Sequence, residues 1–108
     1  MTFNDYQKEA AKTANRTNDA LSMGALGLAG EAGEVVDLIK KHLYHGHPLD
    51  KDKLTREIGD LAWYCAFIAT VVGIEFDDVA TTNLAKLKAR YGDAFSVEKS
   101  INRAEGDN

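Results

Sequence analysis

From Leu61 to Ile74 the chain runs for fourteen residues without a charged side chain. That falls short of the roughly 20 apolar residues a bilayer-spanning helix needs, so the run reads as a core helix. It is apolar all the way round, and such a helix has to be covered on every side. A chain of 108 residues makes one domain with one modest core. A bundle this small cannot cover the segment alone, so contact with a second copy is expected.

The remaining periodicity is also helical and predicts an all-α, four-helix bundle-like protein. Phe3, Tyr6, Ala10 and Ala14 place a first helix over roughly 3–15. Polar residues Asn15 to Asp19 break it. A second helix runs over 20–44, with Ala25, Leu28, Ala32, Val36, Ile39 and Leu43 as its buried stripe. His45-Gly46-His47-Pro48 ends it. The third begins near Leu54 or Thr55 and reaches about Val72. Asp77 or Asp78 caps a fourth over roughly 78–91, with Val79, Leu84 and Leu87 on its apolar side and Gly92 closing it. Residues 1–95 thus form one helical domain, and 96–108 a polar tail expected to fray.

Net charge is −4, from 13 basic and 17 acidic residues. That excludes a broad nucleic-acid or anionic-membrane surface, which needs a basic excess. The single cysteine, Cys65, has no internal partner and sits in the apolar run, which fits a reduced, buried thiol. The first residues lack the basic-then-apolar pattern of a secretory leader. A cytoplasmic protein is the expectation.

Two acidic pairs carry the chemistry. Glu31 and Glu34 lie on the second helix, Glu57 and Asp60 on the third, each pair at i, i+3 spacing. Residues so spaced are neighbours on one face, about 5–6 Å apart between Cβ atoms. If the two helices pack side by side, four carboxylates converge and raise one another's pKa values. A cation relieves that repulsion, and an all-carboxylate set favours a hard divalent ion, Mg²⁺ or Mn²⁺ ahead of Zn²⁺. Asp37 continues the series and reads as a surface residue, with an outer ligand role as the alternative.

Gly24, Gly27, Gly30 and Gly33 recur every third residue beside the first pair. Each costs a helix about 0.8–1.0 kcal/mol relative to alanine, so they serve either close approach of another helix or room for a ligand. His42, His45 and His47 fit a helix C-terminus better than a zinc site, and Lys40 and Lys41 have the same default, with a substrate contact as the alternative. Trp63, Tyr64 and Phe67 read as core or interface, with base stacking the alternative for one of them.

The pattern Glu-x-x-Glu, a gap of 22 residues, then Glu-x-x-Asp resembles the all-α nucleoside triphosphate pyrophosphohydrolases of the MazG-like family. Leu28-Ala29-Gly30-Glu31-Ala32-Gly33-Glu34 is similar to the usual setting of that family's first pair. Asn83-x-x-Lys86-Leu87-x-x-Arg90-Tyr91 is similar to its last helix. The family often has two adjacent acids at the start of the first motif; here Gly30 stands before Glu31, which leaves the number of metal ions open. The resemblance implies a helical homodimer or homotetramer that hydrolyses (deoxy)nucleoside triphosphates to monophosphate and pyrophosphate with Mg²⁺, a nucleotide-pool house-cleaning role. Glu31, Glu34, Glu57 and Asp60 would ligate metal, and Glu34 or Glu57 would accept the proton of the attacking water. Asn83, Lys86, Arg90 and Tyr91 would contact substrate.

Three other readings compete. A phosphoribosyl-ATP pyrophosphohydrolase of histidine biosynthesis shares similar acidic motifs. A di-iron bundle needs Glu-x-x-His motifs, and no histidine follows these acids at that spacing. A non-catalytic, Mg²⁺-binding helical oligomerisation module would release no pyrophosphate.

Overall fold

The computed structural model of the chain describes residues 1–103. In chain order the helices are α1 (Phe3–Ala11), α2 (Ala20–Tyr44), α3 (Lys51–Val72), α4 (Phe76–Tyr91) and α5 (Val97–Ile101). No strand occurs among the described residues, so the fold is all-α. The long helices α2 and α3 form a hairpin, α1 lies against α3 and α4, and α5 packs on α4. Helix α4 leaves α3 at 105°, and no single described helix is long and apolar enough to cross a membrane.

Capping chemistry sets the boundaries and explains where they depart from expectation. Thr2 and Asp5 exchange reciprocal bonds of 3.0 and 2.9 Å, a capping box that starts α1. The helix ends at Ala11, four residues short of the expected Asn15. There Thr13 turns its hydroxyl onto the Ala10 carbonyl at 2.8 Å and accepts the Trp63 indole N–H at 2.9 Å. Helix α3 begins at Lys51, ahead of the expected Leu54, because the Asp50 carboxylate accepts the Lys53 N–H at 3.0 Å. It ends at Gly73, whose left-handed φ of 78° suits a residue without a Cβ.

The start of α4 also differs from expectation. The cap position is Glu75, not Asp77 or Asp78, and its side chain makes no capping bond. Helix α1 supplies the acceptors instead. The Phe76 N–H donates to Gln7 Oε1 at 2.9 Å and the Asp77 N–H to Asn4 Oδ1 at 2.8 Å. Gln7 Nε2 donates back to the Ile74 carbonyl at 2.9 Å, and Asp77 Oδ1 accepts the Asn4 N–H at 3.1 Å. Two amide side chains thus hold the α3–α4 corner and satisfy amide groups a helix start would leave bare. The tail is a further correction: residues 97–101 form α5, started by Ser96, whose hydroxyl accepts the Lys99 N–H at 3.1 Å. Its last residues, 104–108, lie outside the described part.

The core is small. Ala20, Gly24, Ala66, Phe67 and Ala69 are buried, along the upper half of the α2–α3 contact. The stripe expected on α2 is not what packs: Val36 and Leu43 are each 62% exposed. The packed face is rotated toward Ala20, Gly24, Gly27 and Glu31, because the glycines let α3 come closest there. A Cβ on Gly24 would stand 2.8 Å from Ile68 Cγ1, and one on Gly27 would overlap the Tyr64 ring. A Cβ on Gly30 or Gly33 would meet nothing within 4 Å. The glycine repeat therefore divides into a packing half and an open half beside the acids. The radius of gyration is 16.8 Å, whereas a compact domain of this length has about 13 Å.

Gly27→Ala is expected to lower the melting temperature, by roughly 1 kcal/mol of stability, since overpacking of about 1–3 kcal/mol outweighs the gain in helix propensity. Gly30→Ala should raise it, by about 0.5–1 kcal/mol of stability. Thermal unfolding of the two variants side by side checks the division, and equal shifts would contradict it.

Candidate metal centre

The contact at Gly27 and Tyr64 fixes what happens one turn away. Four residues on from Gly27 stands Glu31, and four residues back from Tyr64 stands Asp60. The antiparallel pair therefore brings Glu31 to Asp60, and Glu57 follows one turn below Asp60 on α3. Carboxylate oxygens of Glu31, Glu57 and Asp60 lie within 4.8 Å of one another. Glu31 and Glu57 are half-buried and Asp60 is exposed.

Electrostatics mark Glu31 as the strained member. Its carboxyl is pushed above the usual carboxylate range by desolvation, then by the charges of Asp60, Glu57 and Glu34, and by a hydrogen bond with Glu57. Two carboxyls share a hydrogen bond only when one keeps a proton. A divalent cation would do the work of that proton, held by Glu31 and Glu57. The donor set is oxygen throughout, with no sulfur or imidazole, which fits a hard ion such as Mg²⁺ or Mn²⁺. The residues present therefore fit such an ion.

Glu34 stands apart from the trio. It is turned about 60° round α2 from Glu31 at 100° per residue and is exposed. Its charge still acts on Glu31 and on Lys41. Asp37 lies farther along and pairs with cations. Lys41 Nζ is 2.8 Å from its Oδ2 and Lys40 Nζ 3.5 Å from its Oδ1. The Lys41 hydrogen bond, first among several causes, holds Asp37 below the usual carboxylate range.

The expected substrate face is elsewhere within one chain. Asn83, Lys86, Arg90 and Tyr91 are on α4, whose main neighbours are α1 and α5, while the acids sit on the α2–α3 pair. Asn83 and Lys86 line an open groove of about 360 Å³ with Ile74, Asp78, Val79 and Thr82. The Arg90 guanidinium lies 5.6 Å from the centre of the Tyr91 ring. The Tyr91 carbonyl accepts Lys99 Nζ at 2.9 Å, and hydrogen bonds from Ser100 and Arg90 hold its phenol below the usual tyrosine range. One chain does not join this face to the acid centre.

The aromatic candidates are mostly committed to packing. Trp63 stacks on Phe67 at 5.4 Å and 8°, Phe67 is buried, and Tyr64 fills the space over Gly27. His42 Nδ1 lies 2.8 Å from the His47 carbonyl and closes the α2–α3 loop. The histidines belong to no group of three potential ligands among the described residues. One neighbour of the centre was not singled out from the sequence. Tyr6, on α1, lies close enough to feel Asp60, and its phenol is pushed up by burial, then by Asp60 and Cys65. In the sequence it is merely one apolar position of α1, and only the docking of α1 on α3 reveals the proximity.

Helical architecture with a three-carboxylate cluster defines an all-α protein whose oxygen donors fit a divalent cation. Residues 20–95 match the family model described as MazG nucleotide pyrophosphohydrolase domain. A Mycobacterium phage L5 protein described as "Gene 37 protein" is 32% identical over 94 residues, which cover 83% of this chain and 77% of that protein. No solved structure matches the chain. The chain belongs to the MazG nucleotide pyrophosphohydrolase domain family, and α1 with Tyr6 precedes the matched stretch.

A pH prediction follows from Glu31. Because its folded-state pKa is raised, the folded chain keeps a proton that the unfolded chain releases, and the penalty on folding grows as pH rises through the raised value. In EDTA at neutral pH, Glu31→Gln should therefore melt higher than the parent, with the difference closing on acidification. Melting curves across the carboxylate range check this, and a variant less stable than the parent at neutral pH would contradict it.

Proposed function

We propose that this chain hydrolyses (deoxy)nucleoside triphosphates to nucleoside monophosphate and pyrophosphate, with Mg²⁺ held by Glu31, Glu57 and Asp60. The observation that carries the reading is the meeting of those three carboxylates within 4.8 Å, from two helices, in a chain of this family. Bound there, Mg²⁺ (or Mn²⁺) supplies charge neutralisation of the phosphate oxygens and polarisation of the phosphorus under attack.

The chain's own residues then divide the work. Glu31, Glu57 and Asp60 fix the cation, which would relieve their mutual repulsion. Glu34, outside the trio and exposed, accepts the proton of the attacking water at a carboxylate oxygen in this reading. Water adds at a phosphorus of the α–β anhydride, the bridging P–O bond breaks, and the two products leave as monophosphate and pyrophosphate. The open helix surface at Gly30 and Gly33 lets a bulky polyphosphate approach the acids without meeting a side chain of α2.

The same proposal includes self-association. Leu26, Val36 and Leu43 on α2 and Leu84 on α4 are between 62% and 72% exposed, and large apolar side chains left in the open support a further interface. A homodimer or homotetramer covers it and offers a route for the α4 face, with Asn83, Lys86, Arg90 and Tyr91, to reach a substrate. The free thiol of Cys65 is in keeping with a reducing, cytoplasmic setting, where removal of surplus or aberrant nucleotides is the role we assign.

Replacing Glu31, Glu57 or Asp60 by its amide is expected to lower turnover by about two or more powers of ten, near 3 kcal/mol of barrier, and to abolish the rise in melting temperature that Mg²⁺ gives the parent. Glu34→Gln should lose turnover but keep most of the Mg²⁺ shift. The decisive assay is a panel of canonical and modified nucleoside triphosphates, with phosphoribosyl-ATP included, read for monophosphate and pyrophosphate with and without Mg²⁺. No pyrophosphate from any of them would sink the enzymatic reading in favour of a binding module.

Assembly is checked separately. Light scattering at micromolar concentration should give a dimer or tetramer, and Val36→Glu should shift it toward the 11.8 kDa monomer. A monomer in the parent would remove the interface from the proposal.

A further inference from the structure

Charge balance at the acid centre leaves a deficit. Glu31, Glu57 and Asp60 bring three carboxylates together at one end of the α2–α3 contact, and the charge of Glu34 acts on Glu31. A triphosphate adds its own negative charge, and one divalent ion cannot balance both. The cations of α4 are not at hand within the chain, since α4 leans on α1 and α5. The α2 helix itself carries a cation on the Glu34 face. Lys41 is seven residues, or about two turns, beyond Glu34 on the same face. Helical side chains lean toward the helix N-terminus, so the Lys41 ammonium is carried back toward the centre. It stands 2.8 Å from Asp37, one turn nearer, and interacts with the Glu34 charge.

Asp37 is shared. Lys40 reaches its other oxygen at 3.5 Å, so two ammonium groups face one carboxylate and a surplus positive charge remains beside Glu34. Both lysine side chains are about half exposed, 52% and 43%, which leaves them open to a ligand. Exposed pairs of this kind add little stability, so folding does not explain the arrangement. A lysine is a compact point charge with three donors, suited to the irregular oxygens of a polyphosphate. We propose that Lys41, oriented by Asp37, grips the phosphate chain of a nucleotide seated on the acid centre. The triphosphate then lies along α2, its phosphates directed toward the α2–α3 loop. This inference rests on the triphosphate reading above; Lys41 is a binding residue, and Asp37 acts through it as a positioning residue.

The test pairs steady-state kinetics on a turned-over triphosphate with calorimetric binding of magnesium pyrophosphate, which needs no turnover. Lys41→Ala should raise KM and the pyrophosphate Kd about tenfold, the worth of one charge-assisted contact, with kcat changed far less. Lys41→Arg should restore most of the affinity. Asp37→Asn should give a smaller rise in the same two quantities, and the double variant should be no worse than Lys41→Ala alone. Melting with and without Mg²⁺ should match the parent in all of them. Unchanged KM and Kd in Lys41→Ala, beside an active parent, overturn the inference and leave the enzymatic reading standing. Loss of kcat alone overturns it equally. A parent that binds magnesium pyrophosphate through Lys41 without hydrolysing any triphosphate upholds the grip and removes the enzyme. A parent that binds neither magnesium pyrophosphate nor triphosphate overturns both.

Discussion

The close approach of α2 and α3 at Gly27 and Tyr64 governs the rest of the molecule. A phenol ring lies where any larger residue would put its Cβ, and that single contact fixes both the separation and the register of the hairpin. Because it lies one turn from Glu31 on one helix and one turn from Asp60 on the other, the acids have no freedom to avoid each other. Tyr64 is in turn held edge-on by Trp63, 5.0 Å away, and Trp63 is tied to Thr13 just beyond α1. Helix propensity is given up at Gly27, and the return is a rigid placement of charge that flexible side chains on a looser hairpin would not keep.

That placement works against stability. Like charges on Glu31, Glu57 and Asp60 are tolerable on an exposed helix surface, but desolvation is the leading influence on Glu31. A group whose ionised form is disfavoured in the folded state draws the fold toward whatever neutralises it, a proton at low pH or a cation at neutral pH. The repulsion that weakens the metal-free chain would thus be part of the affinity for the proposed ion. Asp37, by contrast, has lysine partners on its own helix and is held ionised. Two acids two turns apart on one helix therefore have opposite characters, decided by what stands opposite each.

Much of this was legible in the chain. Periodicity gave the four main helices, and the acidic spacing with its glycine setting pointed to the centre and to the MazG family, which the match over residues 20–95 shows. What escaped was set by contacts distant in sequence. The α4 start is capped by Asn4 and Gln7, about seventy residues away, and no local rule reports an acceptor on another helix. The α2 stripe was misjudged because leucines and valines outweigh glycine in any count of apolar positions, whereas packing follows closeness and places Gly24 and Gly27 inward. Glu34 shares a motif with Glu31, and the turn of α2 against α3 leaves it outside the group of three.

Several features of the single chain point the same way. The radius of gyration exceeds that of a compact domain of this length, the buried core amounts to a few small residues and Phe67, and the apolar positions from Val36 to Leu43 face outward. The acids and the α4 cations are on separate parts of the molecule. A chain that placed its cations directly against its acids would satisfy them with one another, and the centre would be a set of ion pairs with no call on a metal or a phosphate. Cations stand apart on α4 and at the Asp37 pair, and Glu31 is left under-neutralised. The open architecture and the raised acid are then two aspects of one arrangement: the charge imbalance at Glu31 persists because the chain does not fill it internally.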